Sequence, residues 1–185
     1  LPISIHDGTL YLEIGAADIH IADCADSLVK IKSLSENDNY YCNIIDNQAH
    51  VHYSSDDDAD DWANRKANIM LGNNKEWKLN MSAGAGNLFC DLSKNKISSI
   101  HLESGASKAY FKLSNMIDTV RVNIESGVSQ IKLEIPKEYN CITSQNQVLS
   151  SITSYEKDKK ASKNMKKVVY LDFSGALSNL NVVYY

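Results

Sequence analysis

A histidine pair followed by an aspartate run is the sequence feature whose residue types best suit a metal site. His50 and His52 are two residues apart, so on a strand both side chains lie on the same face. Imidazole with a carboxylate can bind zinc, and clustered carboxylates can hold Ca²⁺. The candidate ligands are His50, His52, Asp56, Asp57 and Asp58. The run lacks the glycine and closing glutamate of a calcium loop, so a solvated acidic loop is the alternative interpretation.

The pattern Ser-x-x-Lys places a possible nucleophile near a possible base. In penicillin-binding enzymes it begins a helix and accompanies Ser-Asp-Asn and Lys-Thr-Gly motifs, which this sequence lacks. Gly-x-Ser-x-Gly and phosphate-binding glycine loops are also missing. We therefore predict no enzymatic activity, no catalytic residues and no cofactor. The pattern occurs at Ser27/Lys30, Ser93/Lys96, Ser129/Lys132 and Ser154/Lys157.

The four cysteines, at positions 24, 42, 90 and 141, are far apart and form no Cys-x-x-Cys pair. Zinc sites and thioredoxin-like motifs use closely spaced pairs, so neither is predicted. A chain of 185 residues is long enough to build a core without disulfides. We expect all four cysteines to be reduced. Because their number is even, the alternative is that they form two disulfides.

Charge is distributed unevenly along the chain. Residues 1–64 carry thirteen acidic residues against two lysines, a net charge of −11, and residues 65–185 carry +7, which together give −4. The second half contains only two arginines, whereas nucleic-acid interfaces favour arginine with aromatic stacking. Nucleic acid is therefore not expected as a partner. No apolar run approaches the roughly 20 residues of a membrane-spanning helix.

A pattern centred on glycine recurs in four segments, residues 10–21, 79–90, 100–111 and 122–133. Apolar residues alternate with polar ones, which is typical of strands with one buried face. The apolar columns lie five and three residues before each glycine, and one, four and six residues after it. Their members are Leu10, Leu79, Ile100 and Val122; Leu12, Met81, Leu102 and Ile124; Ala16, Ala85, Ala106 and Val128; Ile19, Leu88, Ala109 and Ile131; and Ile21, Cys90, Phe111 and Leu133.

The spacing of the central glycines predicts the fold class. Gly84, Gly105 and Gly127 are 21 and 22 residues apart, which suits one coil of an all-β solenoid. Each glycine would mark a corner or bulge where the backbone needs a conformation that a Cβ disfavours, and the small residues beside it would allow successive coils to stack tightly. The alternative is an antiparallel β-sandwich, which has no reason to repeat glycine at a fixed interval.

We interpret residues 1–185 as a single repeat-built β domain with core repeats at 79–136. A weaker fifth copy at 168–184, centred on Gly175, has its apolar positions displaced by one and is predicted to be a capping coil. Residues 33–78 form an irregular insertion, and residues 155–167 form a basic loop. No segment has a sustained helical apolar face, so helical content should be below about 15%.

The segments LNMSAGAGNLFCDLS, IHLESGASKAYFKLS and VRVNIESGVSQIKLEIP resemble the repeats of the bacterial putative-adhesin domain of unknown function, called the toast-rack domain. That family is related to the C-terminal domains of cell-wall-stress response proteins. The resemblance implies a right-handed, single-stranded β-helix-like stack. It also implies a location in the cell envelope, membrane-anchored or secreted, with the cytoplasmic face as the alternative, and any membrane attachment through a segment outside this chain. It carries over no site residues.

The expected function is a binding or scaffold module, with adhesion as one role and a sensor domain in envelope-stress signalling as the alternative. The partner would be a protein or a cell-wall polymer. In a solenoid that follows sequence order, the charge asymmetry would place opposite charges at the two ends. Any weak self-association is then predicted to be end to end, with the Lys157–Lys167 and Asp56–Asp61 loops as the opposed charged elements.

Overall fold

The computed structural model describes residues 5–33, 38–54, 65–147, 151–155 and 166–185. Within these ranges every regular element is a strand, and no helix is present. No described element qualifies as a membrane-crossing helix. The strands are β1 (Asp7–Cys24), β2 (Val29–Ser33), β3 (Asn39–Ile45), β4 (Gln48–Ser54), β5 (Lys66–Gly72), β6 (Glu76–Asp91), β7 (Lys96–Lys112), β8 (Thr119–Ser126), β9 (Gln130–Ile135), β10 (Tyr139–Gln147), β11 (Ser151–Tyr155), β12 (Lys167–Gly175) and β13 (Asn179–Tyr184).

All described strands except β2 and β3 stack in parallel, and the strands form two rows that share the same coils. The first row has the order β3-β4-β1-β6-β7-β8-β12-β10, and the second has β2-β5-β1-β6-β7-β9-β13-β11. The long strands β1, β6 and β7 cross from one row to the other, whereas each remaining coil consists of two shorter strands. The buried side chains of both rows form one hydrophobic cluster. This arrangement is the predicted β-solenoid-like stack.

The glycine column accounts for the close stacking. A Cβ added to Gly84 would lie 2.6 Å from the carbonyl oxygen of Gly15, and one added to Gly105 would lie 2.7 Å from that of Gly84. Gly127 has the same relation to Gly105. Glycine is thus required here by the approach of the previous coil. Among the described glycines a left-handed φ occurs only at Gly86, at +131°. The prediction that the repeat glycines mark a backbone conformation disfavoured by a Cβ was therefore wrong for Gly84, Gly105 and Gly127. The stacked column confirms the solenoid and excludes the antiparallel sandwich.

Four of the five predicted apolar columns form the core. Their members are all at most 4% exposed. The column one residue after the glycine is different, because Val128 is 58% exposed and Ala85 and Ala106 are also exposed. The chain bends at the glycine, so the inward position moves to the second residue after it, where Ala17, Ser107 and Ser129 are buried. The prediction of burial for the first position was wrong.

The fifth copy is aligned on Ala176 and not on Gly175. Gly175 pairs with Ser126, whereas the amide of Ala176 donates to the carbonyl of Ser126 as the amide of Gly127 donates to that of Ser104. With this shift Phe173 and Leu180 pair with Ile124 and Ile131, and every apolar position falls into its column. The copy is also an interior coil, because β12 and β13 have a parallel neighbour on both sides. The prediction of a capping coil was wrong.

The segments between the copies supply the coils at both ends. β4 and β5, within residues 33–78, pair with the two halves of β1, and β10 and β11 pair with β12 and β13. At the first end β3 and β2 add antiparallel to β4 and β5. Coil order therefore departs from sequence order at both ends, although the N-terminal and C-terminal thirds still lie at opposite ends.

All four cysteines are free thiols, as predicted. Cys24 and Cys90 are buried, Cys42 is exposed, and Cys141 is partly buried. Burial raises the pKa of Cys141 to about 11, so its thiol stays protonated at neutral pH.

Candidate functional site

The predicted metal ligands lie only partly within the described residues. His50 and His52 project from the same face of β4, and the His52 ring is stacked between Tyr11 and Tyr41, with centroids 4.6 Å and 4.5 Å away. Asp56, Asp57 and Asp58 lie outside the described ranges. In the part of the chain that the structure describes, no group of three metal-ligating side chains is arranged to hold an ion. The metal site stays a prediction.

The Ser-x-x-Lys pattern at Ser129 and Lys132 begins just before β9, and both of its side chains serve the structure. Ser129 is buried, and its Oγ lies 3.0 Å from Ser104 Oγ and 3.3 Å from the amide nitrogen of Ser107, which donates to it. Lys132 faces the other way and forms an ion pair with Glu134 at 2.7 Å. The two side chains of the pattern therefore belong to separate networks.

The outer face of the second row carries a ladder of rings from successive coils. His20, Phe89 and Tyr110 occupy equivalent positions on β1, β6 and β7, with centroids 5.4 Å and 4.8 Å apart. The Lys132 ammonium lies 5.5 Å from the Tyr110 centroid, and the Tyr110 hydroxyl donates to Glu134 at 2.9 Å. Burial alone would raise the pKa of Glu134, but hydrogen bonds from Lys132 and Tyr110 hold it below its usual range. Tyr110, Lys132 and Glu134 thus satisfy one another at the end of this ladder.

This lowered pKa predicts a pH-dependent contribution to stability. Because the folded state favours the Glu134 carboxylate, its contribution is present at neutral pH and is lost as the pH falls through and below the ordinary range of glutamate, about 4.3. E134Q should lower the free energy of unfolding at pH 7 by up to about 1 kcal/mol. Urea denaturation of the wild type and E134Q from pH 7 to pH 3 should show that the difference between their free energies of unfolding disappears at acid pH. A difference that stays constant over this range would contradict the assignment.

A groove crosses the outer face of the first row over β7, β8 and β12. Its volume is about 620 Å³. Side chains alternate between core and solvent, so the outward positions of these strands line the groove as two sets of laterally paired residues. One set is Ser99, Arg121 and Tyr170, and the other is His101, Asn123 and Asp172. Parallel pairing brings together six polar positions from separate parts of the sequence.

Some polar side chains of the groove hydrogen-bond to one another, whereas others have no protein partner among the described residues. Asn123 Nδ2 donates to His101 Nδ1 at 3.1 Å, and His101 Nε2 lies 3.1 Å from Glu103 Oε1. Both ring nitrogens of this histidine are thus occupied. Arg121, Tyr170 and Asp172 are exposed, and within the described ranges no hydrogen bond or ion pair engages their side chains. These three side chains are free to bind a ligand.

Sequence reasoning missed the groove for an identifiable reason. Centring the fifth copy on Gly175 places Tyr170 five residues before the centre, in a core column. With Ala176 as the centre, Tyr170 faces outward beside Arg121. A cue was present, because Arg121 is one of only two arginines in the chain and occupies an outward position of the repeat.

Comparison with known proteins gives a family and a fold. A crystal structure of a "putative cell adhesion protein" from Clostridium sporogenes matches with a TM-score of 0.84 and 18% sequence identity, covering 100% of this chain and 95% of that one. A "putative adhesin" from Bacteroides fragilis matches with a TM-score of 0.38 and 10% identity, covering 96% and 92%. No curated protein sequence matches significantly. Residues 4–134 match the family described as the N-terminal domain of toast_rack, DUF2154, and the chain belongs to this toast-rack family.

Proposed function

We propose that this domain is a non-catalytic binding module of a bacterial cell-envelope protein, with a role in adhesion. The observation that carries the proposal is the open groove in which Arg121, Tyr170 and Asp172 are exposed and unengaged. The family assignment and the name of the C. sporogenes protein support an envelope setting. Against catalysis, His101 has both ring nitrogens bound to Asn123 and Glu103.

The side chains of the groove suit a hydroxyl-rich polymer such as a wall polysaccharide. A guanidinium donates several hydrogen bonds in one plane, and a carboxylate accepts several, so together they match neighbouring hydroxyl groups. Tyr170 is 43% exposed and offers an aromatic face for the C–H surface of a sugar ring. A groove that runs across successive coils can accommodate an extended chain, whereas an enclosed pocket would admit only a small molecule.

Sedimentation with purified peptidoglycan sacculi tests this function. The wild-type domain should co-sediment saturably. R121A should raise the apparent Kd by about tenfold or more, since a hydrogen bond to a charged group contributes about 1.5–3 kcal/mol. Y170A should also raise the apparent Kd, because it removes the aromatic face that packs on a sugar ring. K108A is the matched control, because Lys108 is exposed on the second row. No retention of the wild type would contradict a polysaccharide ligand. Retention that the groove variants leave unchanged would contradict the groove as the site.

A further inference from the structure

The end of the stack formed by β3 is an apolar edge. Among the strands that the structure describes, β3 pairs only with β4, and all seven of its residues are exposed. Tyr40, Tyr41, Ile44 and Ile45 are 56%, 53%, 47% and 55% exposed. Edge strands usually carry charges, prolines or bulges that prevent pairing with another chain. Between Asp38 and Asp46, β3 has none of these charges or prolines, and its register with β4 runs without a shift.

The turn between β3 and β4 determines which backbone groups point outward. Asp46 and Asn47 have φ of 50° and 63°, as in a two-residue hairpin turn, so the flanking pair Ile45 and Gln48 is hydrogen-bonded. Hydrogen-bonded pairs alternate along an antiparallel ladder. The amide and carbonyl groups of Tyr40, Cys42 and Ile44 therefore point away from β4, toward the open edge.

The same three residues share the face of β3 that continues the core. They pair with Tyr53, Val51 and Ala49, which are all at most 1% exposed. An antiparallel copy of β3 centred on Cys42 would place Tyr40 opposite Ile44 of that copy, and Cys42 opposite its own equivalent. The face toward the core would then be apolar across the whole pairing, and all outward-pointing backbone groups would be satisfied.

We propose that β3 is a self-association surface through which two copies of this chain pair antiparallel about a two-fold axis at Cys42. The strand is self-complementary in this register, as an isologous interface requires. The opposite end of the stack is a poorer match, because the core-facing Thr143 of β10 is polar and exposed. A head-to-tail contact would therefore set a polar end against an apolar one. This proposal is independent of the groove.

Salt dependence distinguishes the two-fold dimer from the charged end-to-end contact expected from sequence. The paired strands carry no charge, and the acidic residues that flank β3 in the sequence, Asp38 and Asp46, would lie opposite each other as like charges. Added salt should therefore leave the dimer unchanged or strengthen it, whereas attraction between oppositely charged loops weakens as salt screens it. A dimer that dissociates between low and high salt would contradict the proposal.

Sedimentation equilibrium of the reduced protein, from roughly 10 µM to 1 mM, tests the surface. The wild type should form dimers and no larger species, because a two-fold contact closes. I44K should raise the dissociation constant at least about tenfold, since an edge lysine opposes strand pairing. I142K is the matched control, because Ile142 is 46% exposed on β10 at the other end. A wild type that stays monomeric at 1 mM, or a dimer lost in I142K and kept in I44K, would overturn the proposal.

Oxidative cross-linking tests the register without altering the surface. Cα atoms of a directly opposed, hydrogen-bonded antiparallel pair are about 5.5 Å apart, within the range of a disulfide. Diamide should therefore link Cys42 to Cys42 of the second copy in the wild type and in C141S. C42S should form no disulfide-linked dimer. A covalent dimer that depends on Cys141, or none at concentrations where the reduced protein dimerises, would contradict pairing about Cys42. A wild type that binds an added β-strand peptide but forms no dimer with a second copy of this chain would also overturn self-pairing.

Discussion

Replacement of Trp77 by alanine is expected to lower the free energy of unfolding by about 3–5 kcal/mol. Trp77 is fully buried on β6 and is the largest side chain in the core. Its Nε1 donates to the carbonyl of Gly72 at 2.8 Å, and its ring lies so close to Gly8 that a Cβ there would be 2.4 Å away. Truncation creates a large cavity and leaves a buried carbonyl without its donor. For a domain of this size, the melting temperature should fall by about 10 °C.

Urea denaturation followed by circular dichroism measures this effect, and W77F is the control. Phenylalanine keeps most of the apolar volume and mainly removes the hydrogen bond. The free energy of unfolding should therefore fall clearly less in W77F than in W77A. The slope of unfolding free energy against urea should match that of the wild type, since the coils still unfold together. Equal losses in W77A and W77F would show that the hydrogen bond, and not the cavity, dominates.

Replacement of Gly105 by alanine is expected to destabilise the domain by about 3 kcal/mol, because the added Cβ would lie 2.7 Å from the Gly84 carbonyl oxygen. That oxygen belongs to the backbone of the preceding coil and cannot rotate away. Relief therefore requires two coils to separate near the middle of the stack. In a solenoid, loss at one interface between coils lowers the stability of the neighbouring coils as well.

G175A is the matched control for G105A. Gly175 occupies the column of Ser126, Ser104 and Ala83, where side chains are accommodated, so alanine there should be neutral or slightly stabilising. Thermal unfolding of the two variants compares the positions directly. The opposite result, with G175A the more damaging, would contradict the alignment on Ala176.

The local pattern in the sequence was sufficient to identify the repeat and most of the core. Side chains alternate with a period of two on any strand, so the residues that face inward can be read from each segment alone. This is why Leu12, Leu102 and Phe111 were placed correctly. The same rule failed at Val128, because the bend after the glycine reverses the alternation. It also failed at Gly175, where Ser-Gly-Ala resembles the motif but is displaced by one residue.

The chain by itself determined an all-β stack with a 21–22-residue coil and membership of the toast-rack family, and it favoured the free cysteines that the structure shows. Only the tertiary structure decided which coils are neighbours, because parallel pairing joins strands that are distant in sequence and no local pattern specifies the partner. Coil order in turn brings Arg121 beside Tyr170, since β12 inserts between β8 and β10. It also leaves β3 at the edge with its apolar residues exposed. The candidate surfaces thus depend on long-range pairing, whereas the buried face depends on local alternation.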